Sequence, residues 1–180
     1  SGGFGTCARS GDRRPVDSSA LSVHAAPMAS IVLSTLNARY MHAAFGLRYL
    51  LANMGALQDE TRLMEFTIEM RAADIVEKIM QEAPSIVGLG VYIWNVQRVA
   101  EVVKTLRAIA PQVTLVVGGP EVSHEIEAQP WLADVDYIVT GEGDAAFPKL
   151  CERLLSGRKP LQRVIDGGAP EISTISLPYD

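Results

Sequence analysis

The sequence predicts an α/β fold: a five-stranded parallel sheet with helices on both faces. Two observations carry that reading. Short β-branched runs alternate five times with amphipathic segments across short connections, as parallel strands joined by crossover helices do. Two of those runs end in glycine-rich turns, Gly118-Gly119-Pro120-Glu121 and Gly141-Glu142-Gly143-Asp144. Glycine at the end of a strand lets the backbone bend tightly and lets a ligand approach the main chain.

Ile31 to Leu36 reads as a buried strand, because an unbroken apolar run suits a strand covered on both faces. After a loop over 37–44, Leu47, Leu50, Leu51 and Met54 recur at helical spacing, with Gly55 as the C-cap. Leu63 to Ile68 is the second strand, with Glu65 at an exposed or edge position. Ala72, Ile75, Val76, Ile79, Met80 and Ala83 mark one face of a helix that Pro84 stops. Ile86 to Tyr92 is the third strand, whose glycines let a helix pack closely on the sheet. Asn95 is the candidate N-cap of a helix carrying Val96, Val99, Val103, Leu106 and Ala110, which Pro111 closes. Val113 to Val117 is the fourth strand, Val122 to Gln129 a short helix, and Tyr137 to Thr140 the fifth strand. The last helix bears Phe147, Leu150, Cys151, Leu154 and Leu155 and ends near Gly157. Five such strands favour the flavodoxin-like order 2-1-3-4-5, with a ligand cleft between strands 1 and 3.

A chain of 180 residues is long enough for one well-filled core. Its 48% hydrophobic and 21% charged residues describe an ordinary globular protein. A net charge of -5, with Lys and Arg scattered, argues against nucleic acid as a partner. No apolar run approaches the ~20 residues of a membrane helix, so no membrane partner is expected. Cys7 and Cys151 show no metal-ligand spacing, and Cys151 falls on a helical apolar stripe. A reduced, buried thiol in a cytoplasmic setting follows. Residues 1–27, rich in Gly, Ser, Ala and Arg and without periodicity, read as a disordered or non-native leader to a domain over 28–157. The pattern thins from Arg158, and 158–180 reads as a linker toward a further C-terminal domain.

The loop after the first strand gathers Asn37, Arg39, Tyr40 and His42 at the ligand edge of the sheet. His42 is either a metal ligand or acid/base group, since imidazole titrates near neutrality, or a hydrogen-bonding residue at a helix start. Arg39 either binds an anionic substituent or is a solvated surface residue. Gly46 relieves crowding in the first helical turn. Tyr92 and Trp94 either line a pocket for an extended ring or, for Trp94, cap the core. The Gly118-Gly119-Pro120 turn either presses backbone and free N–H groups against a ligand or is simply tight. Glu121 and Glu142 each stabilise a helix start or accept a hydrogen bond from a ligand hydroxyl or amide. No nucleophile stands beside a base, and neither a Walker sequence nor GxGxxG is present. No catalytic residue is assigned.

In combination, Ile31 to Met54, Val116 to Ser123 and Tyr137 to Phe147 resemble the N-terminal cobalamin-binding domain of B12-dependent radical SAM proteins, over roughly residues 28–155. The resemblance implies a Rossmann-like domain that holds cobalamin over the strand ends. It directs the nucleotide tail toward Gly118, Gly119, Gly141 and Gly143, and the corrin toward Asn37 to His42 and Tyr92 to Asn95. The implied cofactor-binding set is Asn37, Arg39, Tyr40, His42, Gly46, Tyr92, Trp94, Asn95, Gly118, Gly119, Pro120, Glu121, Gly141, Glu142 and Gly143.

Two departures shape the expectation. Cobalamin mutases and methionine synthase carry Asp-x-His-x-x-Gly after the first strand, whose His ligates cobalt. Here the Asp is absent and His42 stands four residues before Gly46 rather than three. That agrees with the radical SAM branch, in which no protein His ligates the cobalt, so no metal ligand is assigned. The Cys-x-x-x-Cys-x-x-Cys cluster motif is also absent. The iron-sulfur cluster and S-adenosylmethionine would therefore belong to the C-terminal domain of a parent enzyme. The expected function is a cobalamin-binding module of a radical SAM methyltransferase-like enzyme. The alternatives are a degenerate scaffold or interaction domain without cofactor, and a nucleotide- or flavin-binding module.

Overall fold

A computed structural model of the chain describes residues 2–3, 29–38, 44–124, 126–169 and 172–179. The expectations for Cys7 and for nearly all of the leader lie outside the described residues. The elements run β1 (Ile31–Asn37), α1 (Phe45–Ala52), β2 (Thr61–Thr67), α2 (Ala72–Met80) and β3 (Ile86–Gly90). They continue as α3 (Val96–Ile109), β4 (Thr114–Gly118), β5 (Tyr137–Thr140), α4 (Gly143–Leu155) and β6 (Val164–Asp166). All neighbouring strands pair in parallel, in the order β2-β1-β3-β4-β5-β6. The parallel α/β reading therefore stands, with one strand more than the five expected.

That sixth strand lies in the stretch read as a linker. Its three residues are too few to register as a period, and only tertiary pairing reveals it. The Ile138 amide donates to Arg163 O at 2.9 Å and the Gly167 amide to Thr140 O at 2.8 Å. A second correction concerns Val122 to Gln129, whose described residues form no α-helix. The chain makes separate 3-10 turns at Pro120–Val122, Ile126–Ala128 and Pro130–Asp134. Eight residues barely repay the cost of a helix nucleus. The Gln129 side chain, through Nε2, instead donates to Glu121 O at 2.8 Å and folds the segment back.

Two apolar layers sandwich the sheet. Ile75, Val76 and Ile79 of α2 and Val99, Val103 and Leu106 of α3 pack on Val32, Leu36, Val87 and Leu115. Leu47 of α1 and Phe147, Leu150 and Cys151 of α4 pack on Ile31, Leu33, Ile86, Val116 and Val139. Full burial of each such side chain is worth about 1.5–3 kcal/mol. Six of the seven residues of β1 are buried, as a central strand requires, whereas edge strand β2 is mostly half-exposed. The third-strand glycines act as anticipated. A Cβ on Gly88 would stand 2.8 Å from Phe147 Cζ, and one on Gly90 2.9 Å from Leu47 Cδ1. Their bare backbone lets α4 and α1 close on the sheet. Cys151 is fully buried, and burial pushes its thiol up to about 12, so it stays protonated.

Candidate functional site

At the carboxyl end of the sheet a cavity of about 770 Å³ opens between α1 and α4. Leu33, Gly88, Val116 and Val139, one from each of β1, β3, β4 and β5, lie beneath it. Leu47 and Leu50 of α1 and Phe147 of α4 wall it, and both glycine turns reach its rim. Pockets of roughly 300–1,000 Å³ with an apolar lining and a few polar groups hold small molecules. The cleft was expected between strands 1 and 3. It extends instead across β4 and β5, because the two glycine turns follow those strands and leave no side chains to fill the space.

The first turn is built around the end of β3. Gly119 takes φ 117, and a Cβ there would stand 2.5 Å from Val91 O. The Val91 amide donates to Gly118 O at 2.8 Å. Gly141, at φ 67, makes the second bend. Ser123 links the two: its Oγ donates to Gly119 O at 2.9 Å and accepts the Gly141 amide at 3.3 Å. One hydroxyl thus sets the spacing of both turns. Sequence reasoning missed Ser123, although a hydroxyl four residues beyond Gly119 is a known back-bonding position.

Gly46, Tyr92, Gly118, Gly119, Pro120, Gly141, Glu142 and Gly143 all line the cavity. A Cβ on Gly46 would stand 3.3 Å from the Tyr92 hydroxyl, so this glycine makes room for the phenol. Burial raises the Tyr92 pKa, which keeps its O–H available as a donor. Arg39, Tyr40 and His42 lie outside the described residues. Asn37, Trp94, Asn95 and Glu121 stand outside the cavity lining.

Trp94 is not buried in the core, and it stands beside the cavity-lining Tyr92. It is 51% exposed, stacks on Tyr92 with ring centroids 4.7 Å apart and planes 4° apart, and donates Nε1–H to Leu36 O at 3.3 Å. Asn95 does precede α3, but its side chain makes no capping bond. The amide is 1% exposed, accepts the Tyr92 N–H at 2.8 Å and donates to Leu36 O at 3.0 Å and Gly90 O at 3.1 Å. Its work is to satisfy backbone groups where the ladders of β1 and β3 run out. Asn37 donates Nδ2–H to Glu65 Oε2 at 2.9 Å, and the Ala44 amide reaches the same oxygen at 3.3 Å. Arg48 pairs with Glu65 Oε1 at 2.9 Å. This edge-strand carboxylate therefore grips both ends of the β1–α1 loop.

The rim is acidic. Glu142, Asp144 and His124 line the cavity, and among the described residues no Lys or Arg does. Asp144 Oδ1 is buried without a hydrogen-bond partner. Burial, followed by the neighbouring Glu142 charge, raises its pKa against the pull of its own backbone hydrogen bond. Among the described residues no three His, Cys, Asp or Glu side chains converge to hold a metal. No helix among them is long and apolar enough to cross a membrane.

Fold and cleft first define a class: a parallel α/β domain with a ligand cleft over glycine-bearing strand ends. Within it the chain belongs to the B12-binding domain family, whose model matches residues 31–151. The membership bears out the resemblance read from the sequence. A 77-residue stretch is 35% identical to the cobalamin-dependent radical SAM methyltransferase TokK of Streptomyces tokunonensis, covering 41% of this chain and 11% of TokK. The chain thus spans about a tenth of that relative's length. The structure also matches the cobalamin-dependent S-adenosylmethionine radical enzyme OxsB with a TM-score of 0.54 at 15% identity, over 74% of this chain and 19% of OxsB. It matches the Salmonella typhimurium RcsB response regulator with a TM-score of 0.51 at 13% identity, over 75% of this chain and 64% of RcsB. At such identities these two likenesses show the fold alone.

Proposed function

We propose that the chain is a cobalamin-binding module whose cleft between α1 and α4 takes the cofactor's nucleotide tail. The observation that carries this reading is that both glycine turns border one apolar cavity. The residues fit the group. Leu33, Val116, Val139 and Phe147 offer an apolar bed for a flat heteroaromatic base, while the turns and Ser123 bring backbone and hydroxyl groups to the rim. Two carboxylates, with no Lys or Arg among the described lining residues, suit a tail with a single phosphodiester better than a nucleotide di- or triphosphate. When bound, cobalamin supplies the cobalt chemistry of methyl transfer. The chain's own residues bind, orient and exclude water.

The full-length protein is proposed to be a B12-dependent radical SAM enzyme, with its iron-sulfur cluster and S-adenosylmethionine in a separate domain. Residues 158–180, which include β6, would lead toward that domain from a cobalamin module beginning near residue 28. A cytoplasmic setting is proposed from the free, buried Cys151. Titrating hydroxocobalamin into the purified protein should shift its visible spectrum and leave pigment after desalting. An unchanged spectrum at micromolar ligand, with colourless protein recovered, overturns the proposal.

A further inference from the structure

The chain beyond β6 does not trail away from the sheet. The Glu142 amide donates to Gly168 O at 3.3 Å, so the chain leaves β6 beside the second glycine turn. It then reaches α1, on the other side of the cavity. There Asn53, at the end of α1, accepts the Ser176 amide on Oδ1 at 2.9 Å and donates Nδ2–H to Ser176 O at 3.1 Å. This reciprocal pair copies what a strand neighbour would offer the backbone. Tyr179 meets Phe45 edge to face, with centroids 6.4 Å apart and planes at 77°. Just before these anchors, Ile175 lines the cavity.

We propose that residues 172–179 form a strap, latched by Asn53, that closes one side of the cleft and docks in concert with ligand binding. The ligand named here rests on the cobalamin reading; the docked strap does not. Leu177 is 52% and Tyr179 69% exposed. A segment so exposed opens far more often than the buried core strands. Ile175 completes the wall only while the strap is docked, so a ligand in the cleft favours docking, and docking raises affinity by the same factor. Affinity falls as fewer molecules have the strap closed.

Hydrogen exchange and hydroxocobalamin titration on the full chain test this together. In wild type, the Ser176 amide should exchange more slowly than in an unstructured peptide, and slow further when the corrinoid binds. Asn53→Ala should speed Ser176 exchange, leave the β1 and β3 amides unchanged, and weaken corrinoid binding by roughly tenfold, the worth of two ordinary hydrogen bonds. Asn53 Nδ2 also donates to Tyr49 O at 2.8 Å, so Ile175→Ala serves as a second variant that spares α1. It should weaken binding severalfold. Ser176 exchange at the free-peptide rate overturns the strap. Faster exchange in Asn53→Ala with unchanged affinity overturns its coupling to the ligand. A wild type that takes up no corrinoid overturns the cobalamin reading and the coupling, while Ser176 protection still decides whether the strap docks.

Discussion

Val91 O occupies the place a side chain on Gly119 would need, 2.5 Å from the position of its Cβ. The glycine of the first turn is thus demanded by the protein's own backbone before any ligand arrives. At φ 117 Gly119 adopts a conformation that other residues rarely reach. The bend that opens the cleft and the packing of β3 against β4 are one feature.

Gly119→Ala should therefore destabilise the fold by roughly 2–5 kcal/mol, since backbone strain and overpacking both apply. Gly157, at φ 76 with open space around it, is the control. Gly157→Ala should cost about 1 kcal/mol. Urea melts of both variants check this, and equal midpoints would refute the steric account.

Ser123→Ala removes the hydroxyl that spans the two turns. The stability loss should be small, about 1 kcal/mol, because the Gly141 amide is exposed and water can replace the serine. Corrinoid affinity should fall more than stability does, as the turns lose their mutual spacing, and Ser123→Thr should restore much of it. Thermal melts paired with spectroscopic titration separate the two effects.

Asp144→Asn carries a pH signature. Burial holds the carboxyl above its usual range, so the folded state binds a proton more readily than the unfolded chain. Stability from this group is full below the ordinary carboxylate pKa and is lost as pH rises through the shifted value. At pH 7 the asparagine variant should melt roughly 1–2 °C above wild type, a figure discounted for solvent screening. By about pH 3 the gain should vanish, since wild type is then protonated too. A variant less stable than wild type at pH 7 would show that the charge at the start of α4 helps more than burial costs.

Much of the architecture was legible because it rests on local patterns. The apolar run from Ile31 to Leu36 shows a central strand, and Ile75, Val76 and Ile79 show a helix face. The glycine turns are legible for the same reason, since glycine at a strand end has few other uses. Ser123, Glu65 and Asn53 were not legible as site-builders. Each acts through a partner brought close only by folding: Ser123 on Gly141, Glu65 on Asn37 and Ala44, Asn53 on Ser176. The surroundings of Trp94 and Asn95 were not legible either, because their partners lie on other strands. In space one stacks on Tyr92, and the other is consumed by backbone.

By itself the sequence determined the class of the chain, the order in which strands and helices alternate, and the two bends where a ligand can approach the main chain. Those properties depend on side-chain periodicity and on the absence of side chains at a few positions, both local. The tertiary structure alone decided that the cavity spans β1 to β5, that a sixth strand joins the sheet, and that the chain beyond it returns to Asn53. These depend on hydrogen bonds between residues far apart in the chain, which no local period records.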